Sequence, residues 1–225
     1  MSPPIAIVAG GGGELGRAVV LNLVGSGYAV VAVDRNKENL DKLPDGVRRE
    51  VVDITIPAGV APFIDRIVSE VGVPDVLINT LGVFFPGPAT ASTPEQFQTM
   101  LNVNLGAALW LSQAVAPHMS GQHSGAILHV SARPGLDPTI GMAAYSASKA
   151  ALIHLTRVLD LELRPMGIRV NSIAPELMNT ERNREGLPKE MLVRAVAPEA
   201  IAEIIAFLVS DAAAPISGAI LPAYG

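Results

Sequence analysis

Apolar residues fall along this chain in short clusters rich in valine and isoleucine, separated by longer stretches in which they recur at helical spacing. The runs are Ile5–Ala9, Tyr28–Val33, Val47–Val52, Asp75–Ile78, Ala126–Val130 and Ile168–Ile173, with a shorter one at Ala219–Leu221. Among them Ile5–Ala9 is apolar throughout and β-branched in part, as a strand covered on both faces requires. Between them, Arg17–Val24, Pro57–Val71, Pro94–Met119, Tyr145–Leu163 and Pro198–Val209 read as helices. Strand and helix in alternation predict parallel pairing through right-handed crossovers, an α/β sheet with helices on its faces. No linker, repeat or low-complexity block divides the pattern, so residues 1–225 are expected to form one domain.

Composition narrows the picture. Hydrophobic residues make up 49% of the 225 positions and charged residues 16%, ample for a core and far from a disordered composition. The net charge of −5 comes without a lysine- or arginine-rich cluster, which argues against nucleic acid as a partner. There is no cysteine, so disulfides and thiolate metal sites are excluded; His129 reads as a core histidine on a strand, and His118, His123 and His154 lack ligand spacing, so no metal is expected. The opening Met1-Ser-Pro-Pro has no basic n-region, and the apolar C-terminal stretch is broken by Pro198, Glu199 and Glu203. Neither a leader nor a membrane span is expected, and a cytoplasmic location follows.

Two places carry chemistry. The first is Gly10-Gly11-Gly12-Gly13-Glu14-Leu15-Gly16, lying between the first strand and the first helix. Strand, glycine loop and helix in that order let a backbone approach a diphosphate, with the free N–H groups and positive dipole of the helix start facing it. Asp34 ends the second strand eighteen residues after Gly16, where an acidic residue accepts from the hydroxyls of an adenine ribose. Asp34 and Glu14 would both repel a ribose 2′-phosphate, so NAD(H) is the expected cofactor; Arg35, next in line, leaves NADP(H) open. The second place is Tyr145-Ser-Ala-Ser-Lys149, whose ends sit one turn apart on a helix face. A phenol keeps its proton to a pKa of about 10, and an ammonium beside it favours the phenolate. The sequence therefore predicts a Tyr145 of lowered pKa, able to give a proton to a carbonyl or take one from an alcohol.

With these residues in order and at this spacing, the chain resembles the short-chain dehydrogenase/reductase family along nearly its whole length. The resemblance implies a Rossmann-type doubly wound sheet of about seven parallel strands. It maps the family's glycine motif onto Gly10, Gly13, Glu14, Leu15 and Gly16, with Glu14 on the usual second glycine and Gly13 as its substitute. It puts Asp53 and Ile54 against adenine and makes Asn79-Thr80-Leu81-Gly82 the turn after the fourth strand. It assigns Asn104 to a proton-relay water, and Tyr145 and Lys149 to the active-site pair. Pro175 and Thr180 belong to a segment that contacts nicotinamide, with Glu176 in place of a glycine. By the same resemblance Lys149 also bonds the nicotinamide ribose, residues 181–196 form a lid, and helices near 104–119 and 145–163 form the contact of a homo-oligomer, dimer or tetramer.

One departure bears on chemistry. The family serine that bonds the substrate oxygen lies thirteen residues before the tyrosine, and that position is Ala132. Ser131 is one residue early, and on a strand a shift of one points a side chain to the other face. A site that works without that hydroxyl is expected, at a cost of roughly 10²- to 10³-fold in rate. The reading is an NAD(H)-dependent oxidoreductase acting on a small-molecule alcohol/ketone pair; the alternative is a dinucleotide-binding sensor whose chemistry is weakened. Arg133 is a candidate for an acidic substrate group. Phe84, Phe85, Leu136, Met142 and Met178 are candidates for an apolar pocket.

Overall fold

Strands that read as buried on both faces must sit inside a sheet with a helical layer on each side, and that is how the chain folds. The computed structural model describes residues 2–225. The strands are β1 (Ile5–Ala9), β2 (Ala29–Asp34), β3 (Arg48–Val51), β4 (Val76–Asn79), β5 (Gly125–Val130), β6 (Ile168–Pro175) and β7 (Ile220–Ala223). They form one sheet in the order β3-β2-β1-β4-β5-β6-β7, every neighbouring pair parallel. The helices are α1 (Glu14–Gly25), α2 (Lys37–Leu40), α3 (Pro57–Glu70), α4 (Pro94–Leu101), α5 (Ala107–Gln122), α6 (Ala143–Leu163), α7 (Glu181–Gly186), α8 (Lys189–Leu192) and α9 (Pro198–Val209).

The two-residue period of β1 divides the core. Ala6 and Val8 face one layer with Leu15, Val19 and Leu23 of α1 and Ile201, Ile205 and Leu208 of α9. Ile7 and Ala9 face the other, with Phe63 and Ile64 of α3, Leu111 and Val115 of α5, and Leu159 of α6. Each of the larger side chains among them, taken fully out of water, contributes about 1.5–3 kcal/mol. The edge strand β3 is the exception: it carries Arg48 and Glu50, which form a surface ion-pair set with Arg66 and Glu70 of α3. Charges of that kind keep a sheet edge from pairing with another chain.

The sheet grows outward in both directions from β1 and β4, and the loops leaving their carboxyl ends separate there. In an open parallel sheet that switch point is where a ligand finds a crevice. The expected helix over 94–119 is interrupted: α4 and α5 are joined by a π-helical turn, Asn102–Gly106. The reason is Asn104, wholly buried, whose side chain bonds inward to Val83 and Ser148 and draws the backbone out of α-helical register. α1 begins at Glu14, three residues before the expected start, and residues 181–196 form the two short helices α7 and α8. Among the described residues no helix is long and apolar enough to cross a membrane.

Candidate active site

The glycine loop leaves β1 tightly coiled. Gly10 adopts φ +77°, and a Cβ there would lie 2.6 Å from Thr80 Oγ1; a Cβ on Gly16 would lie 2.0 Å from the Gly10 carbonyl oxygen. These two positions admit only glycine. Gly13 does not share the constraint: at φ −70° it stands at the N-cap of α1, with room for a side chain. Leu15 turns into the core. The loop opens into a cavity of about 370 Å³ lined by Gly10, Asp34, Arg35, Asp53, Ile54, Gly82 and others. Asp34 accepts from the Gly12 and Asn36 amides through separate oxygens, at 3.2 and 2.9 Å, which leaves each oxygen able to accept again. Asp53 uses one oxygen for Thr55, whose hydroxyl and amide hold its pKa below the usual carboxylate value against the opposing effect of burial. A loop closed to a Cβ at Gly10 and Gly16, a free-sided carboxylate at the end of β2 and a narrow cleft between them suit an adenine dinucleotide.

At the far end of the cleft three expected residues meet. A Cβ on Gly82 would lie 3.5 Å from Lys149 Nζ and 3.7 Å from Asn104 Oδ1, so the lysine and the asparagine converge on that glycine. Asn104 accepts from the Val83 amide at 2.8 Å and donates to the Val83 carbonyl and to Ser148 Oγ, while Ser148 donates to the Tyr145 carbonyl. One network thus ties the β4 turn, the π turn and the first turn of α6. Tyr145 packs edge-on against Phe84, ring centroids 4.9 Å apart. Asn79 is buried at the end of β4, with Oδ1 accepting from the Leu81 amide and Nδ2 without a partner.

The expected acidification of Tyr145 does not hold in this structure. Lys149 Nζ donates to the Val130 carbonyl at 2.8 Å and lies 6.0 Å from the Tyr145 ring centre. Burial therefore governs both groups: it pushes the Tyr145 phenol up to about 12 and the Lys149 amine down to about 8. His129 is buried beside them, its Nε2 3.3 Å from Ser112 Oγ; burial, with Lys149 adding to it, lowers the imidazole to about 3 and keeps it neutral.

Ser131 does not stand in for the missing hydroxyl. It is buried between β5 and β6, donates to the Ile173 carbonyl at 3.0 Å and accepts from Ser172 Oγ. Arg133, expected to be open to an acidic group, pairs with Glu176 at 2.7 Å, reaches Asp137 at 3.3 Å and stacks over Tyr224, 4.8 Å from its ring centre. Arg133 and Glu176 border a second cavity of about 490 Å³ with Met142, Glu190 and Arg194. The expected apolar pocket is split: Met142 lines this cavity, Phe85 the cleft beside the glycine loop, and Met178 packs on the core. Pro175 ends β6, and Thr180 caps α7 by accepting from the Asn183 amide. Sequence reasoning missed two residues. Arg182 lines the cleft beside the glycine loop from α7, and Gly135 lets the chain pass α6, where a Cβ would lie 2.8 Å from the Lys149 carbonyl carbon. The Pro134-Gly135 pair was the signal for the second; nothing local signals the first.

The sequence model described as short chain dehydrogenase matches residues 4–190. A 3-oxoacyl-(acyl-carrier-protein) reductase of Thermotoga maritima is 31% identical over 96% of this chain and 94% of its own length. L-xylulose reductase of Cavia porcellus is 33% identical over 98% and 94%. Among solved structures, a xylitol dehydrogenase described as bound to NAD+ superposes with a TM-score of 0.92 at 28% identity, covering 99% of this chain and 98% of that one. The chain belongs to the short-chain dehydrogenase/reductase family, and is an oxidoreductase of alcohol and carbonyl groups that works with a nicotinamide dinucleotide.

Proposed function

We propose that the chain is an NAD(H)-dependent oxidoreductase for a small alcohol/ketone pair, with Tyr145 as its proton donor and acceptor. The observation that carries this reading is the meeting of Lys149, Asn104 and the Tyr145 turn of α6 around Gly82, at one end of the cleft. The diphosphate would lie along Gly10 to Gly16, the adenine ribose at Asp34 and Arg35, and adenine at Asp53 and Ile54. Asn79, Gly82, Pro175 and Thr180 would flank the nicotinamide. When bound, the dinucleotide supplies the hydride chemistry.

The protein's own part is position and proton. In reduction Tyr145 protonates the developing alkoxide, work suited to a phenol that burial keeps protonated at neutral pH. In oxidation the same phenol must first release its proton, a step that burial makes harder at neutral pH. Lys149, held by Val130, brings a positive charge to the nicotinamide end of the cleft, and Asn104 fixes the turn that exposes Gly82. Ala132 offers no hydroxyl to the substrate oxygen, so Tyr145 carries that contact alone, and an activated carbonyl is the better substrate.

Preference for NAD(H) rests on Asp34, whose carboxylate would face a 2′-phosphate directly; Arg35 and Arg182 share the same cavity and moderate the preference. The test is a screen of ketones and alcohols followed by NADH and NADPH absorbance. The expected result is consumption of NADH by at least one ketone, at a higher kcat/KM than with NADPH. Equal or better use of NADPH would contradict the role given to Asp34.

A further inference from the structure

Glu14 occupies a position where the family keeps a glycine, and its side chain is already committed. The carboxylate turns away from its own helix and accepts from the Glu181 amide, the first residue of α7, at 2.8 Å through one oxygen and 3.0 Å through the other. Arg184 Nη2 stands 4.0 Å from the same group. These contacts join residues 167 positions apart and cross from the glycine loop to the segment 181–196. Arg182, between the two contact residues of α7, lines the dinucleotide cleft beside Asp34 and Arg35. The first piece of the segment is therefore closed over the cleft, and the clasp is a negative charge standing at the start of α1.

A helix start attracts an anion through its free N–H groups and its dipole. In this chain a resident carboxylate stands beside the start that a diphosphate would use. We propose that Glu14 is a latch: it holds α7 across the diphosphate part of the cleft in the free protein and weakens dinucleotide binding by its charge. Binding then requires the Glu14–Glu181 hydrogen bonds to break, after which Arg184 and the α7 amide are released on the cleft side. The proposal rests on the dinucleotide reading given above, and it makes Glu14 a positioning residue that sets affinity and access.

The experiment compares wild type with Glu14→Gln and Glu14→Ala. Glutamine keeps an acceptor for the Glu181 amide and removes the charge; alanine removes both. Two readouts are needed: hydrogen exchange of the amides at 180–186 in the cofactor-free protein, and affinity for NADH and for ADP by calorimetry. Both variants should bind NADH and ADP more tightly than wild type, by roughly fivefold or more for a charge at a helix start. Exchange at Glu181 should rise clearly in Glu14→Ala and less in Glu14→Gln. Equal affinities in all three proteins, or unchanged exchange at Glu181 in the alanine variant, would overturn the latch and leave the dinucleotide reading standing. Failure of all three to bind NADH or NADPH would instead remove the dinucleotide reading and the latch with it. Should the alanine variant not fold, the affinity of the glutamine variant decides alone: no gain over wild type overturns the proposal.

Discussion

At the scale of the residue, Lys149 shows what burial does to a charge. Its amine, held near 8 instead of the usual 10.5, releases its proton in the folded protein while the unfolded chain still holds one. Between those two values the unfolded state binds more protons, so stability rises with pH; below about 8 both states are charged and the folded one bears the full cost of the buried ammonium. The Tyr145 phenol, near 12 against 10.0, works in the opposite sense, but only above pH 10, where the unfolded chain loses its proton first. Denaturant unfolding of wild type and Lys149→Met at pH 7.5 and 9.5 isolates the lysine. Wild type should gain about 2 kcal/mol relative to the variant over that interval, at about 1.4 kcal/mol per pH unit past the folded pKa. Parallel profiles would mean that the amine is better solvated than its contact with Val130 implies.

At the scale of the element, α6 is held in place by what passes beneath it. The turn Arg133–Gly135 follows β5 and runs so close to the helix that a Cβ at Gly135 would touch the Lys149 carbonyl carbon and, at 3.0 Å, the Ala150 amide nitrogen. Gly135→Ala must push the backbone of α6 outward at the residue that carries the amine. Overpacking of this kind costs about 1–3 kcal/mol, and turnover should fall with it because the Tyr145 turn moves too. Thermal unfolding and kcat of this variant check the point; a stable protein with unchanged kcat would show that the turn has room to move.

The elements also show what could be read ahead. The strand runs, the glycine loop and the α6 helix depend on neighbours in sequence, and each was legible: Ile5–Ala9 forms β1 at the expected bounds. The π turn at Asn102–Gly106 was not, because it depends on Val83 and Ser148 meeting Asn104 from two other elements. The state of Tyr145 was misread for the same reason. Four residues of spacing put Lys149 on the right face, but the carbonyl of Val130, on a strand, decides where its amine points. Arg133 looked free until β6 brought Glu176 to it, and Glu14 until α7 came within reach.

At the scale of the whole molecule, the order β3-β2-β1-β4-β5-β6-β7 gathers residues from the entire length of the chain at one edge of the sheet. Gly10 and Asp34 arrive from β1 and β2, Gly82 from the loop after β4, Asn104 from the π turn, and Tyr145 and Lys149 from α6. The central claim is that this edge moves a proton through one phenol while a dinucleotide lies in the cleft beside it. The most direct measurement is the pair of NADH affinity and steady-state turnover for Tyr145→Phe, set against wild type on a ketone that wild type reduces. Affinity should stay within about twofold, since the ring and its packing on Phe84 are kept, while kcat falls by at least the roughly 10²–10⁴-fold attributed to general acid catalysis. Turnover that survives the loss of the hydroxyl undiminished would contradict the account.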